Sequence, residues 1–169
     1  MKKADYPKRL FYPTYLGLSL FLLLSVSGAS DYQAINSTYF NFFFTEGDRD
    51  VVNRLAEDSS SIVERLESDL GISLPGIINV YIANRGDFFK LQPDGVILPD
   101  STIGVAYARK SLIIMKSPRE ILNPKVDLRR TFTHELTHIF LGSTFRRDNG
   151  VPRWLNEGIA LYESREWDI

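Results

Sequence analysis

The chain has 169 residues, a length typical of one small domain. Its 44% hydrophobic and 24% charged residues are ordinary for a globular protein and argue against a disordered or fibrous one. A net charge of −1 gives no overall basic field that would point to nucleic acid, and zero cysteines exclude disulfides, thiolate metal sites and cysteine nucleophiles.

Residues 1–30 have the pattern of a secretory signal peptide. Four basic residues lie within the first nine positions, an almost uncharged apolar run covers residues 10–26, and small residues follow it. The alternative is an uncleaved membrane anchor through residues 10–26, although this run is short for a bilayer. An exported domain without cysteines fits a bacterial periplasm or the cell exterior, or a membrane-anchored position if the signal is retained.

Residues 31–169 are predicted to form one α+β domain. The predicted elements are, in chain order, a strand over 39–44, a helix from Asp48 to Gly71, a strand over 77–83, a short helix over 84–91, strands over 103–108 and 112–115 that form a hairpin, and helices over about 126–141 and 153–165. This order predicts a small mixed sheet packed against the last two helices.

Both histidines of the chain lie in the segment THELTH at positions 133–138. On a helix, positions four apart share one face, so His134 and His138 can bind the same metal ion. Glu135 lies about 100° round the helix from His134 and can reach a water molecule beside the ion. The alternative is a surface helix whose histidines bind nothing.

A zinc site needs a further protein ligand, and only a carboxylate is available for it. The acidic residues after the histidines are Asp148, Glu157, Glu163, Glu166 and Asp168. Glu157 follows His138 after 18 intervening residues, in the segment WLNEG at the start of the last predicted helix.

The combination resembles the gluzincin metallopeptidases, whose pattern is HExxH, 18 residues, and a glutamate in a WLNEG segment. Over residues 131–163 the sequence is most similar to the small peptidase-MA-like domains of exported bacterial proteins. The resemblance implies a zincin-like fold, Zn²⁺ held by His134, His138 and Glu157, and Glu135 as the general base of peptide hydrolysis.

Two departures from that family pattern concern the substrate and the transition state. The GxMEN segment that anchors a free amine in related aminopeptidases is absent, and residues 104–108 contain no carboxylate. Twelve residues follow Glu157, so we expect the C-terminal subdomain to be minimal or absent. A residue that stabilises the transition state could then be Tyr107, Tyr162 or Arg153, and the sequence does not choose among them.

The sequence therefore predicts a zinc metallopeptidase of the cell envelope, acting as an endopeptidase on peptide or protein substrates and not on nucleic acid. One strand of the 103–115 hairpin is expected to form a sheet edge that binds an extended substrate. The first alternative is a zinc-binding, catalytically weak domain that acts through protein–protein binding, and the second is a membrane-anchored scaffold with a relict motif. Glu135 favours the enzyme, since a structural site needs no base.

Overall fold

The computed structural model of the protein describes residues 31–93, 95–123, 126–145 and 150–166. Residues 1–30 lie outside this range, so the signal peptide or membrane anchor stays a prediction. None of the helices in the described ranges combines the length and the apolar character that crossing a membrane requires.

The described residues form strands β1 (Gln33–Asn36), β2 (Phe40–Phe44), β3 (Ile78–Ala83), β4 (Gly104–Tyr107) and β5 (Leu112–Lys116), and helices α1 (Arg49–Leu70), α2 (Arg85–Lys90), α3 (Leu128–Thr144) and α4 (Arg153–Ser164). Each predicted strand and helix is present, with ends that differ by a few residues. Strand β1 was not predicted. Its sequence QAIN is short, largely polar and only half-buried on one face, so it has no run of apolar residues.

The five strands form one mixed sheet in the order β1-β2-β3-β5-β4. Strands β2, β3 and β5 are parallel, whereas β1 and β4 run antiparallel to their neighbours at the two edges. The predicted α+β class with a small mixed sheet is confirmed. Of the two strands in the predicted hairpin, β4 forms the sheet edge and β5 lies inside the sheet.

The main core lies between one face of the sheet and helices α1 and α3. Phe40, Phe42 and Phe44 of β2 are completely buried there, and Phe132 of α3 packs against the first two of them. Helix α2 covers part of the opposite face through Phe88. The core thus fixes α3 against the sheet through its apolar side.

Strand β4 lies beside α3 and directs part of its backbone away from the sheet. The N–H of Lys116 donates to the C=O of Ile103 at 2.8 Å, so these two residues form a hydrogen-bonded pair of the antiparallel ladder between β4 and β5. Because hydrogen-bonded and non-hydrogen-bonded pairs alternate in such a ladder, Gly104 and Ala106 direct their backbone N–H and C=O groups to the outer edge. This edge is suited to binding an extended chain.

Candidate metal centre and active site

Helix α3 carries the HExxH segment and begins at a clear capping residue. The Asp127 carboxylate accepts hydrogen bonds from the N–H groups of Arg129, at 2.8 Å, and Arg130, at 3.4 Å. Phe132 and Leu136 are completely buried on the side that faces the sheet. The helical form that the histidine spacing required is therefore present, with an anchored start and a buried apolar side.

The three proposed metal ligands lie together. His134 Nε2 is 3.6 Å from Glu157 Oε2, and His138 Nε2 is 3.7 Å from the same oxygen. One ligand atom from each of the three side chains lies within 4.8 Å of the other two. A tetrahedral ion with bonds of about 2.0–2.1 Å separates its ligand atoms by about 3.4 Å, so the three side chains fit one metal ion.

The other nitrogen of each imidazole ring has a hydrogen-bond partner. His134 Nδ1 lies 3.1 Å from Glu166 Oε2, and His138 Nδ1 lies 2.8 Å from Asn156 Oδ1. Since a carboxylate or amide oxygen accepts but does not donate, each Nδ1 carries the proton. Each Nε2 then presents a lone pair towards Glu157. This is the arrangement in which partners outside the metal shell orient histidine ligands.

The charge state of His138 also suits metal binding. Burial of the ring lowers the pKa of His138 below its usual value. The hydrogen bond with Asn156 is the main opposing effect, and the charges of His134, which lowers the pKa, and Glu157, which raises it, have smaller effects. The ring is therefore neutral at pH 7, which is the form that binds a metal.

Glu135 is buried beside this centre, with 8% of its surface exposed. Burial, followed by the negative charges of Glu157 and Glu166, raises the pKa of Glu135 to about 8. A divalent cation among the three proposed ligands would oppose this effect, because positive charge favours the carboxylate. A carboxyl group whose pKa lies near neutrality can both accept and return a proton.

The other acidic residues that were candidates for the third metal ligand have different partners. Glu163 is buried, and its carboxylate forms an ion pair with Arg65 of α1. Glu166 contacts His134 through Nδ1 rather than Nε2. Asp148 and Asp168 lie outside the described residues. The roles of His134, His138 and Glu157 as metal ligands and of Glu135 as general base stay predictions that this geometry accommodates.

Asn156 and Glu166 are the partners that sequence reasoning did not assign. Asn156 belongs to the WLNEG segment next to Glu157, and this adjacency was the available signal for it. The sequence places Glu166 only among the acidic candidates for direct metal binding. Its position just after the end of α4 gives no periodic signal that would place it against His134.

Glu166→Ala is expected to weaken Zn²⁺ binding by about 10- to 100-fold, because His134 loses the acceptor that fixes its ring and its tautomer. Glu166→Gln should have a smaller effect, since the amide oxygen still accepts a hydrogen bond. Competition with a chromophoric chelator measures both affinities, and Glu64→Ala on the exposed side of α1 is the control. If Glu166→Ala binds Zn²⁺ as tightly as the parent, the contact between Glu166 and His134 does not support the metal site.

Gly104 permits the close approach of β4 to α3. A Cβ at position 104 would lie 2.8 Å from Glu135 Oε1, 2.9 Å from its Cγ and 3.0 Å from Thr131 Cγ2. Contacts this short force neighbouring atoms to move, so any larger residue would displace Glu135. The glycine thus sets the distance between the sheet edge and the candidate general base.

Gly104→Ala is expected to reduce kcat by about 10- to 100-fold and to lower Tm, because the added methyl group displaces Glu135 and overpacks the contact by about 1–3 kcal/mol. Gly86→Ala is the matched control, since its Cβ would meet only Asn84 Oδ1, at an ordinary 3.4 Å. If Gly104→Ala keeps the parent kcat, the position of Glu135 tolerates this displacement.

The three candidates for stabilising the transition state lie on the two elements that border the centre. Tyr107 is half-buried on β4, and burial followed by the charge of Glu135 raises its pKa. Its hydroxyl donates to Gln92 Oε1 at 2.5 Å. Arg153 and Tyr162 are exposed on α4. The choice among the three stays open as a prediction.

A sequence profile of the peptidase MA superfamily matches residues 58–168, about two thirds of the chain. The matched region includes α3, α4 and the edge strand β4. No curated protein matches the chain significantly.

Proposed function

The chain belongs to the peptidase MA superfamily, and we propose that it is a zinc-dependent endopeptidase that cleaves extended protein segments in the cell envelope. One observation supports this most directly. Both imidazole Nε2 atoms face the same oxygen of Glu157, at 3.6 and 3.7 Å, while Glu135 lies buried beside them. A group with three ligands leaves a position open for substrate or water, as catalytic zinc sites do.

His134, His138 and Glu157 would hold the ion. Bound there, Zn²⁺ would supply a Lewis acid that polarises the substrate carbonyl and makes water more acidic. Glu166 and Asn156 keep the Nδ1 protons in place, so the two Nε2 atoms remain available.

Glu135 moves the proton in the proposed reaction. Its carboxylate accepts a proton from the attacking water and returns that proton to the nitrogen of the leaving amine. The buried surroundings that raise the pKa of Glu135 make the second transfer easier, since they favour the protonated acid. No other carboxylate in the described part of the chain is buried between the histidine helix and the sheet edge.

The substrate would bind along β4. Gly104 and Ala106 direct backbone groups to the outer edge, so an extended peptide can add to the sheet as a further strand. Since residues 104–108 offer no carboxylate for a free amine, binding rests on contacts to internal backbone. This supports cleavage within a chain rather than removal of single N-terminal residues.

The proposal is tested with the purified chain and an unfolded protein substrate. The expected result is one Zn²⁺ per chain, internal cleavage products identified by mass spectrometry, and loss of cleavage with a chelator that Zn²⁺ restores. Stepwise loss of N-terminal residues would replace the endopeptidase with an aminopeptidase. Zinc binding without any cleavage would instead support the catalytically weak binding domain.

We propose export as the setting of this activity. The support is the basic, apolar and small-residue pattern of residues 1–30 together with the absence of cysteine. The N-terminal sequence of the protein recovered from bacterial cell fractions tests this. A start near residue 30 or 31 in the envelope fraction is expected, and an intact N-terminus in the cytoplasm would contradict export.

A further inference from the structure

A cavity of about 560 Å³ lies between the turn that follows β4 and the C-terminal end of α3. Ala106 lines it from the sheet edge, Leu141 and Phe145 line it from the end of α3, and Asn156 lines it from α4. Its volume is in the range of about 300–1,000 Å³ that is usual for ligand pockets. Because Asn156 also binds His138, the cavity lies next to the candidate metal centre.

Two cations stand at the rim of this cavity. Arg109 and Lys110 lie in the 3₁₀ turn between β4 and β5, which Ser111 ends in a left-handed conformation with φ +48°. Both side chains are exposed, and within the described ranges neither forms an ion pair or a side-chain hydrogen bond. Most other described cations bind a carboxylate, as Arg65, Arg85 and Arg119 do.

The charged side chains among the described residues that line the cavity have one sign. Among its described lining residues are two cations and no acidic side chain, and the other members are mainly apolar. The apolar part of the lining, with Leu141 and Phe145, suits an apolar side chain, and Arg109 and Lys110 suit a negative one. A peptide segment with an acidic residue beside an apolar one has this complementary chemistry.

The path of the edge strand leads from the proposed site of cleavage to this rim. Gly104 lies beside Glu135, and Arg109 follows five positions later in the chain. Strand β4 ends at Tyr107, which lines the cavity, and Arg109 lies in the turn that follows. A substrate strand along β4 therefore reaches the rim within about five residues of the cleaved bond.

Resting on the proposed function, we propose that this cavity selects substrate segments that carry an acidic side chain within five residues of the cleaved bond, on one side of it. Arg109 and Lys110 bind that carboxylate at the rim, and the apolar lining takes a neighbouring side chain. Two such ion pairs at a partly exposed site should favour the acidic residue over its neutral counterpart by about 3- to 30-fold.

The first test maps cleavage sites in a mixture of unstructured peptides digested by the zinc-loaded chain. Asp and Glu should be enriched on one side of the cleaved bonds, within five residues. In Arg109→Glu/Lys110→Glu this enrichment should disappear, and Lys and Arg should replace it. Arg54→Glu, which reverses an exposed charge on α1, should retain the parent preference. Cleavage without any acidic preference, or the same preference in the double variant, would overturn the proposal.

A second test measures binding without turnover and separates this inference from the proposed function. Fluorescence anisotropy compares a labelled Glu-containing peptide with its Gln counterpart, on the chain treated with a chelator and at two salt concentrations. The expected preference of about 3- to 30-fold should weaken with salt and vanish in Arg109→Gln/Lys110→Gln. A protein that binds selectively but cleaves nothing would refute the peptidase and keep the cavity. A protein that cleaves but shows no charge selectivity in either test would support the peptidase and refute the proposed role of the cavity.

Discussion

Replacing Glu135 by glutamine is expected to lower kcat by about 10²–10⁴ while the protein keeps its metal and its fold. Glutamine has nearly the same shape and fills the same buried space between α3 and β4. Its amide cannot accept a proton from water at neutral pH, so the step that generates the nucleophile loses its base. Since Glu135 faces the centre without being one of its proposed ligands, zinc binding should change little.

The measurement combines single-turnover cleavage of an unfolded protein with zinc content and Tm for the same preparation. Glu64→Gln, on the exposed side of α1, removes one carboxylate far from the centre and should cleave like the parent. Equal cleavage by Glu135→Gln and the parent would exclude Glu135 as the base. Neither protein cleaving would favour the alternative in which zinc supports a binding domain.

The elements of the fold could be predicted where a single periodic signal dominates. Helix α1 buries Val52, Leu55, Ile62 and Leu66 at helical spacing and ends at Gly71, whose φ of +65° suits a residue without a side chain. Strands β2 and β3 are runs of apolar residues with turn residues beside them. Each of these signals lies within one short segment of the sequence.

The order of strands in the sheet was beyond prediction because it depends on pairing between distant segments. Strand β3 pairs with β5 rather than with β4, the next strand along the chain, and this leaves β4 at the edge. Strand β1 has only Ile35 as a large apolar residue, so its own sequence does not predict a strand. It forms one because it pairs with β2. Long-range pairing of this kind leaves no mark in a local pattern.

The candidate site, like the fold, has features that the local sequence predicts and features that depend on contacts between distant segments. The spacing in HExxH and the WLNEG segment named three side chains that the fold brings within 4.8 Å of one another. The contact of Glu166 with His134 arises because α4 packs across α3, a tertiary relation that the spacing of 32 residues does not contain. The close approach at Gly104 likewise depends on the sheet edge and the helix meeting.

Glu157→Gln is expected to weaken zinc binding by about 10²- to 10³-fold and to abolish cleavage at low zinc concentrations. Structural zinc sites bind with about 10–16 kcal/mol, so one ligand of four accounts for roughly 2.5–4 kcal/mol, or a factor of about 10²–10³. The amide keeps the size of the side chain but is a poor metal ligand. Glu157 is nearly half exposed, at 46% of its side chain, so the substitution should leave Tm of the metal-free protein unchanged.

The comparison with Glu166→Gln decides which carboxylate is the ligand. Both residues lie near His134, but Glu157 faces Nε2 of both rings and Glu166 faces only Nδ1 of one. Chelator competition should therefore give a much larger loss for Glu157→Gln, and the visible spectrum of the Co²⁺-substituted protein should change in that variant alone. If Glu166→Gln loses more affinity and Glu157→Gln binds like the parent, the third ligand is Glu166 rather than Glu157.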